Sequence, residues 1–241
     1  MVWLSEVGGD YQYGVSISAT GPEEADSRFQ ELIGKNSLVS KSFSIRLEIV
    51  TFGHRMLAAA NDRSEYLYQG NWQIIGQNRV EENNLETVVL DEKDLAILQL
   101  ISIESLPSHR ELARDLKLQP SMVDRRIKGL ERGLVIDGYH SVINSELAGF
   151  RTYRLLVDCA GSSPALSGKL FRFVRARKCY TRFIRCLGQW DYELELAVGK
   201  DDDLSNARTE IYSKFGTEIK SIKLIPLLKN IACPMFPISR A

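Results

Sequence analysis

The sequence predicts an α+β protein in which a helical segment stands between two copies of a strand-helix-strand module, the second copy being the more complete. Three observations predict it: a self-similarity at one fixed offset, period-2 apolar alternation inside both copies, and a switch to helical periodicity near Leu90. The stretch from Val7, VGGDYQYGVSISATGPEEADSRFQELI, returns from Cys186 as CLGQWDYELELAVGKDDDLSNARTEIY, 179 positions later. Gly9 falls on Gly188, Tyr11 on Trp190 and Tyr13 on Tyr192, and Phe43, Ile45, Leu47, Ile49 fall on Ile222, Leu224, Pro226, Leu228.

Taken in order, the first copy reads as strand, helix, strand. The acidic cluster Glu23, Glu24 and Asp26 suits a helix start, where carboxylates meet unpaired backbone N–H groups. Few residues precede Gly9, so this copy is expected to lack its upstream half and to leave a sheet edge and a core face open. Residues 51–89 form a connector of weak pattern, in which GNWQIIG reads as a short strand and EENNLE as a turn.

From Leu90 the period becomes helical. Leu90, Ile97, Leu98 and Ile101 share a stripe behind the acids Asp91, Glu92 and Asp94. Pro107 ends that helix, and Ser108 with Glu111 forms a capping box for HRELARDL, which buries Leu112, Ala113 and Leu116. A short turn leads to PSMVDRRIKGLERG, where Pro120 suits the first turn and Val123, Ile127 and Leu130 recur on the buried face. The alternation LVIDGYHSVI predicts a hairpin turning at Asp137-Gly138. Two short helices joined by a tight turn, the second basic on its open face, then a hairpin, describe a winged helix-turn-helix. Such a helix fits the major groove, where its exposed side chains reach base edges.

The second copy adds an upstream half: strand Tyr153–Asp158, a helix around Pro164–Arg175 and strand Tyr180–Cys186. That completes β-α-β-β-α-β, a ferredoxin-like order. The division expected is 1–50 partial module, 51–89 connector, 90–145 winged helix-turn-helix, 150–232 complete module and 233–241 tail.

Composition narrows the function. The chain has 31 basic and 31 acidic groups and 44% hydrophobic residues, too apolar and charge-balanced for a disordered chain. Residues 151–187 nevertheless carry nine basic groups against Asp158 alone, which points to an anionic partner or to a solvated face balanced by the acidic first third. There is no apolar run of membrane-spanning length and no signal-peptide pattern, and the four cysteines form no CxxC pair, so a cytoplasmic protein with reduced thiols is expected. Three histidines without ligand spacing, and the absence of HExxH, GxSxG and phosphate-loop motifs, argue against an enzyme and imply neither cofactor nor metal.

LDEKDLAILQLI, HRELARDLKL and RRIKGLERGLVIDGYHSVIN resemble the helix-turn-helix of the Lrp/AsnC (feast/famine) transcriptional regulators. GQWDYEL within the downstream module looks like that family's RAM domain, with its Gly-x-aromatic-Asp turn. The likeness covers residues 90 to about 231, and the first 50 residues look like the second half of another RAM domain. It implies a DNA-binding regulator that forms homodimers or higher homo-oligomers through RAM sheets and takes an amino acid or similar small effector between RAM domains.

Candidate contacts with double-stranded DNA are Ser121, Arg125 and Lys128, with Gln119 and Met122 at the groove entry and Arg132 and His140 toward phosphates. Arg126 faces the core side and is expected to pack and pair within the fold. Gly188, Trp190 and Asp191 border the candidate effector site; alternatively Gly188 makes a tight turn, Asp191 bonds its own backbone and Trp190 packs in a core or interface. Four departures from the family pattern stand out: Gln119 where a serine cap is usual, Asp124 on the recognition helix, a glycine one place early at Gly133, and Gln12 where the second copy has Asp191. Two other functions fit the same modules: an enzyme resembling the sirohaem decarboxylases, and a co-regulator that has lost DNA binding.

Overall fold

The computed structural model describes residues 3–34, 40–53, 55–58, 88–102, 107–139, 143–161, 163–199 and 201–232. In chain order the elements are β1 (Trp3–Val7), β2 (Tyr13–Ser16), α1 (Pro22–Ile33), β3 (Ser44–Thr51), a 3₁₀ turn (Arg55–Ala58), α2 (Glu92–Ile101), α3 (His109–Asp115), α4 (Pro120–Arg132), β4 (Arg151–Cys159), α5 (Pro164–Arg175), β5 (Tyr180–Gly188), β6 (Tyr192–Val198), α6 (Asp201–Phe215) and β7 (Ile219–Ala232). The segments GNWQIIG and EENNLE lie outside the described residues.

Strands β4 to β7 pair in the order β7-β4-β6-β5, all antiparallel, which is the ferredoxin-like arrangement expected of the second copy. The first copy does not form a sheet of its own. Its hairpin β1–β2 joins the β7 edge and its strand β3 joins the β5 edge, giving one seven-stranded sheet, β2-β1-β7-β4-β6-β5-β3.

Strand β1 was not expected, because WLSEV carries Ser5 and Glu6 in a five-residue run. Tertiary pairing overrides that polarity. Ser5 is fully buried, and its hydroxyl donates to the Lys229 carbonyl at 2.7 Å, while Trp3 and Val7 face inward on either side. At the repeat offset β1 corresponds to β5, so the first copy holds one strand more than its sequence pattern discloses.

One face of the sheet carries α5 and α6. Their Leu166, Leu170, Phe173, Val174, Ala207, Ile211 and Phe215 share a core with Leu155, Val157, Leu194, Leu196 and Ile222. Burying a side chain of this size stabilises by roughly 1.5–3 kcal/mol. The other face is different. Trp3, Val7, Leu156 and Ile225 form a small apolar patch there, joined by Tyr11, Trp190 and Leu227.

Beside the patch lies a buried ion cluster. Arg154, 6% exposed, donates to Glu195 at 2.9 Å and lies 3.6 Å from Glu193. Arg46 of β3 reaches Glu193 at 2.6 Å, Arg182 lies 3.7 Å from Glu195, and the Trp3 ring stacks 4.4 Å from the Arg154 guanidinium. Burial opposes each charge, so only multiple partners make such a cluster tolerable. Glu193, pushed up by burial, is nonetheless held below its ordinary value by Arg46 and Arg154. The wrapping of the first copy around this face thus supplies both a lid, Trp3, and a cation, Arg46.

The helical segment has a separate core: Ile97 and Leu98 of α2, Leu112 and Ala113 of α3, Val123, Ile127 and Leu130 of α4, and Ile136. Its start signals hold. Asp91 caps α2 in a box with Asp94, and Ser108 caps α3 in a box with Glu111. The hairpin expected after α4 is not formed among the described residues of 133–139. Val135 and Ile136 both donate their amides to the Leu130 carbonyl, so this backbone is spent on closing the helix end rather than on a strand partner.

Candidate nucleic-acid interface

Helix α4 is held from below and open above. Val123, Ile127 and Leu130 are buried, while Ser121, Arg125, Lys128 and Arg132 are exposed. Those four recur at spacings of four, three and four residues, which places them on one face of an α-helix. Gln119 is exposed and gives no side-chain cap, as its residue type foretells, and Pro120 provides the fixed first-turn φ instead. Met122 is half-buried beside them. The turn from α3 is tight: Lys117 adopts φ 53°, and Leu118 donates its amide to the Ala113 carbonyl at 2.8 Å. His140 lies outside the described residues.

The cations of α4 differ sharply in their partners. Arg126 faces the core side, as expected, and its guanidinium bonds Asp94 at 2.7 Å and Asp91 at 2.8 Å. It thereby locks α4 onto the cap of α2, and those carboxylates raise its pKa further. Lys128 is tied to Asp124, one turn back, at 2.8 Å, and Asp124 also lies 3.6 Å from Nδ1 of His109 at the start of α3. The Lys128 ammonium holds the Asp124 carboxyl below its usual range, and Asp124 raises Lys128 in return. Arg132 donates to the Lys128 carbonyl at 3.1 Å. Arg125 stands exposed without an ion-pair partner among the described residues. The His109–Asp124 pairing was not read from the sequence. The i,i+4 spacing of Asp124 and Lys128 signals their pair, but only the helix crossing brings His109 beside them.

The Gly188–Asp191 turn is held by its own backbone, by β3 and by β4. Gly188 has φ 143°, and a Cβ there would come within 3.0 Å of Ser44 Cα. The Asp191 carboxylate accepts the Cys159 amide at 2.8 Å, and the Asp191 amide donates to the Val157 carbonyl. The Trp190 indole donates to Glu193 at 3.2 Å, and its amide donates to the Ser44 hydroxyl. Their polar groups therefore shape the turn and dock β3. The basic residues of 151–187 are largely paired within the fold as well: Arg177 with Glu210 at 2.6 Å and Arg185 with Glu48 at 3.1 Å.

A three-helix unit presenting one open basic helix, joined in sequence to a ferredoxin-like sheet, defines a helix-turn-helix protein of α+β class. Within that class the chain is similar to transcriptional regulators of the Lrp/AsnC type. It is similar to the HTH-type transcriptional regulator Ptr1 of Methanocaldococcus jannaschii, 34% identical over 68 residues, which are 28% of this chain and 46% of Ptr1. The HTH-type regulator FL11 of Pyrococcus furiosus is 24% identical over 132 residues, 54% of this chain and 85% of FL11. The HTH-type regulator LrpA of Pyrococcus horikoshii is 32% identical over 62 residues, 26% of this chain and 44% of LrpA. The chain therefore spans less than half the length of Ptr1 and of LrpA. No protein-family model matches it.

Solved structures that share the fold include two transcriptional regulators. A transcriptional regulator of Neisseria meningitidis in complex with L-Met superimposes with a TM-score of 0.54 at 20% identity, over 62% of this chain and 97% of that one. An AsnC family regulator from Agrobacterium tumefaciens gives 0.50 at 20% identity, over 59% of this chain and 93% of that one. No helix among the described residues is long and apolar enough to cross a membrane.

Proposed function

We propose that this chain is a sequence-specific DNA-binding transcriptional regulator that reads the major groove with α4. The observation that carries the reading is the single open face Ser121–Arg125–Lys128–Arg132, held rigid by Val123, Ile127 and Leu130 beneath it. Arg125 is the base-edge reader, because its guanidinium is exposed and uncommitted; Lys128 and Arg132 meet phosphates, with Ser121, Gln119 and Met122 at the groove entry. His140 is a further phosphate contact in this reading. Two half-sites need two such helices, so the binding species is a homodimer or higher homo-oligomer.

A small effector, an amino acid or similar, modulates the regulator in this reading. Its support is the L-Met complex of the structural relative from Neisseria meningitidis. Gly188, Trp190 and Asp191 frame the turn beside which the effector acts, by setting the seat of β3 rather than by offering free polar groups.

The test is fluorescence anisotropy on labelled DNA from upstream of the chain's own gene, over a salt series. Affinity above that for random DNA, falling steeply with salt, supports the reading. Arg125→Ala should cost about 1–3 kcal/mol of binding and relax specificity at one base pair. Wild-type binding by that variant would remove α4 as the reading helix.

A further inference from the structure

A bulge in β5 builds a polar cavity on the inner face of the sheet, the face turned away from α5 and α6. The sheet curls there far enough for Arg46 of β3 to donate to the Ser16 hydroxyl of β2. Tyr180 stands opposite Leu196 and Arg182 opposite Glu195, which leaves Thr181 as the extra residue of the bulge. Bulges of this kind re-aim side chains. Thr181 donates its hydroxyl to Glu195 Oε1 at 3.2 Å, while Arg182 Nη1 stays 3.7 Å from Glu195 Oε2, beyond hydrogen-bond length. Among the described residues the Arg182 guanidinium makes no hydrogen bond. It lines a cavity of about 50 Å³ at the start of β5, the opposite end of that strand from the Gly188–Asp191 turn.

The remaining walls come from three parts of the chain. Thr51 ends β3 of the first copy, and Gly53 follows with φ 69° and adds no side chain. Thr152 lies at the start of β4. Ser145 belongs to the segment 143–150 that leads from the helical unit into β4. That segment is pinned by the Phe150 amide on the Ser145 carbonyl at 2.8 Å and by the Asn144 side chain, which accepts the Glu146 and Leu147 amides. The hydroxyls of Thr51, Thr152 and Ser145 have no hydrogen-bond partner among the described residues. The charges do not balance either. The paired cluster on this face holds three guanidiniums, Arg46, Arg154 and Arg182, against two carboxylates, Glu193 and Glu195. Glu195 is committed to Arg154 at 2.9 Å and to Thr181, so Arg182 carries the surplus.

We propose that this cavity binds a small monocarboxylate, with the Arg182 guanidinium on its two oxygens and the Thr51, Thr152 and Ser145 hydroxyls donating around it. Three features select the class. A planar guanidinium matches a carboxylate through two parallel hydrogen bonds. A single negative charge balances the surplus, whereas a dianion would bring a second charge to face Glu195. The volume exceeds the roughly 30 Å³ share of one water and admits a group of a few heavy atoms. Because Thr51 and Ser145 come from outside the β4–β7 module, the bound carboxylate ties the end of β3 and the segment 143–150 to that module. The proposal is independent of the DNA reading, since it rests on the sheet and this cavity alone.

The probe is acetate, titrated into the full chain at constant ionic strength with chloride as the balancing salt. Binding is followed by saturation-transfer NMR on the acetate methyl and by backbone hydrogen exchange. The expected result is saturable binding with a Kd of about 1–10 mM, as befits so small a ligand, and slowed exchange at 143–150 and around Thr51 and Thr181. Arg182→Gln should lower the affinity at least about tenfold, and Thr152→Val about threefold. Thr152→Val removes a hydroxyl that no described residue uses and nearly keeps the side chain's shape, so it decides the matter if circular dichroism shows that Arg182→Gln disturbs the fold. Absence of saturation up to about 50 mM, binding unmoved by both substitutions, or phosphate bound more tightly than acetate would overturn the proposal.

Discussion

Helices α1 and α6 hold the same place in the two copies, yet one is buried on its inner face and the other is not. Ile211 of α6 is fully buried, while Leu32, its counterpart at the repeat offset, is 41% exposed. Their sequences do not explain the difference, since both carry an apolar side chain there. What differs is the company: α6 lies on a face that also holds α5 and four strands of its own copy. The first copy contributes to the protein through its strands instead, above all through β1. A module repeated in sequence is therefore not repeated in energetics.

That contrast is open to direct attack. The largest effect is expected from Trp3→Ala, which removes a large buried side chain of the first copy and uncovers Arg154; a loss of about 3–5 kcal/mol in urea denaturation is expected. Next, Ile211→Ala should cost about 2–5 kcal/mol, whereas Leu32→Ala at the equivalent position should stay within about 0.5 kcal/mol. Equal losses at the two positions would mean that α1 is seated as α6 is.

Acid sharpens the comparison further. Burial pushes the Glu195 carboxyl up, but Arg182 and Arg154 hold it down at about 2, against an ordinary 4.5. A carboxyl depressed in the folded state contributes stability above its unfolded value, and that contribution is lost as pH falls toward the folded one. The urea midpoint should therefore drop between about pH 4.5 and 2, and Glu195→Gln should flatten that limb. Glu24 on α1 is also held at about 2, first by the Thr20 hydroxyl, but it lies at the solvent-screened surface beside Arg28, so Glu24→Gln should leave the acid limb nearly unchanged. The smallest effect concerns α4. Asp124→Asn releases Lys128, an exposed pair contributing about 0–1 kcal/mol, and should raise DNA affinity a few-fold with a salt slope steeper by about one unit.

Much of the fold was legible because its signals are local. The capping box at Ser108, the acidic first turn at Asp91, Glu92 and Asp94, the spacing of Val123, Ile127 and Leu130, and the alternation of YELELAV each follow from a few neighbouring residues. The helix Pro164–Arg175 was placed to the residue. What escaped was nonlocal. Nothing within WLSEV announces that Ser5 will be buried against Lys229, and nothing in the repeat tells that its strands will separate to opposite edges of one sheet. The open face of α4 was legible for the same local reason as its core. The commitment of Asp191 to Cys159, and of Trp190 to Glu193 and Ser44, was not, because those partners come from β3, β4 and β6.

The stacking of Trp3 on Arg154 has an optical consequence. Of the three tryptophans, Trp3 and Trp190 sit in the same small patch on the inner face, Trp72 lies outside the described residues, and the helical segment 90–139 holds none. Intrinsic emission from the first two is therefore a built-in gauge of how tightly the sheet is curled. It reports any loosening of that face without a label, and Trp72→Phe would isolate their signal.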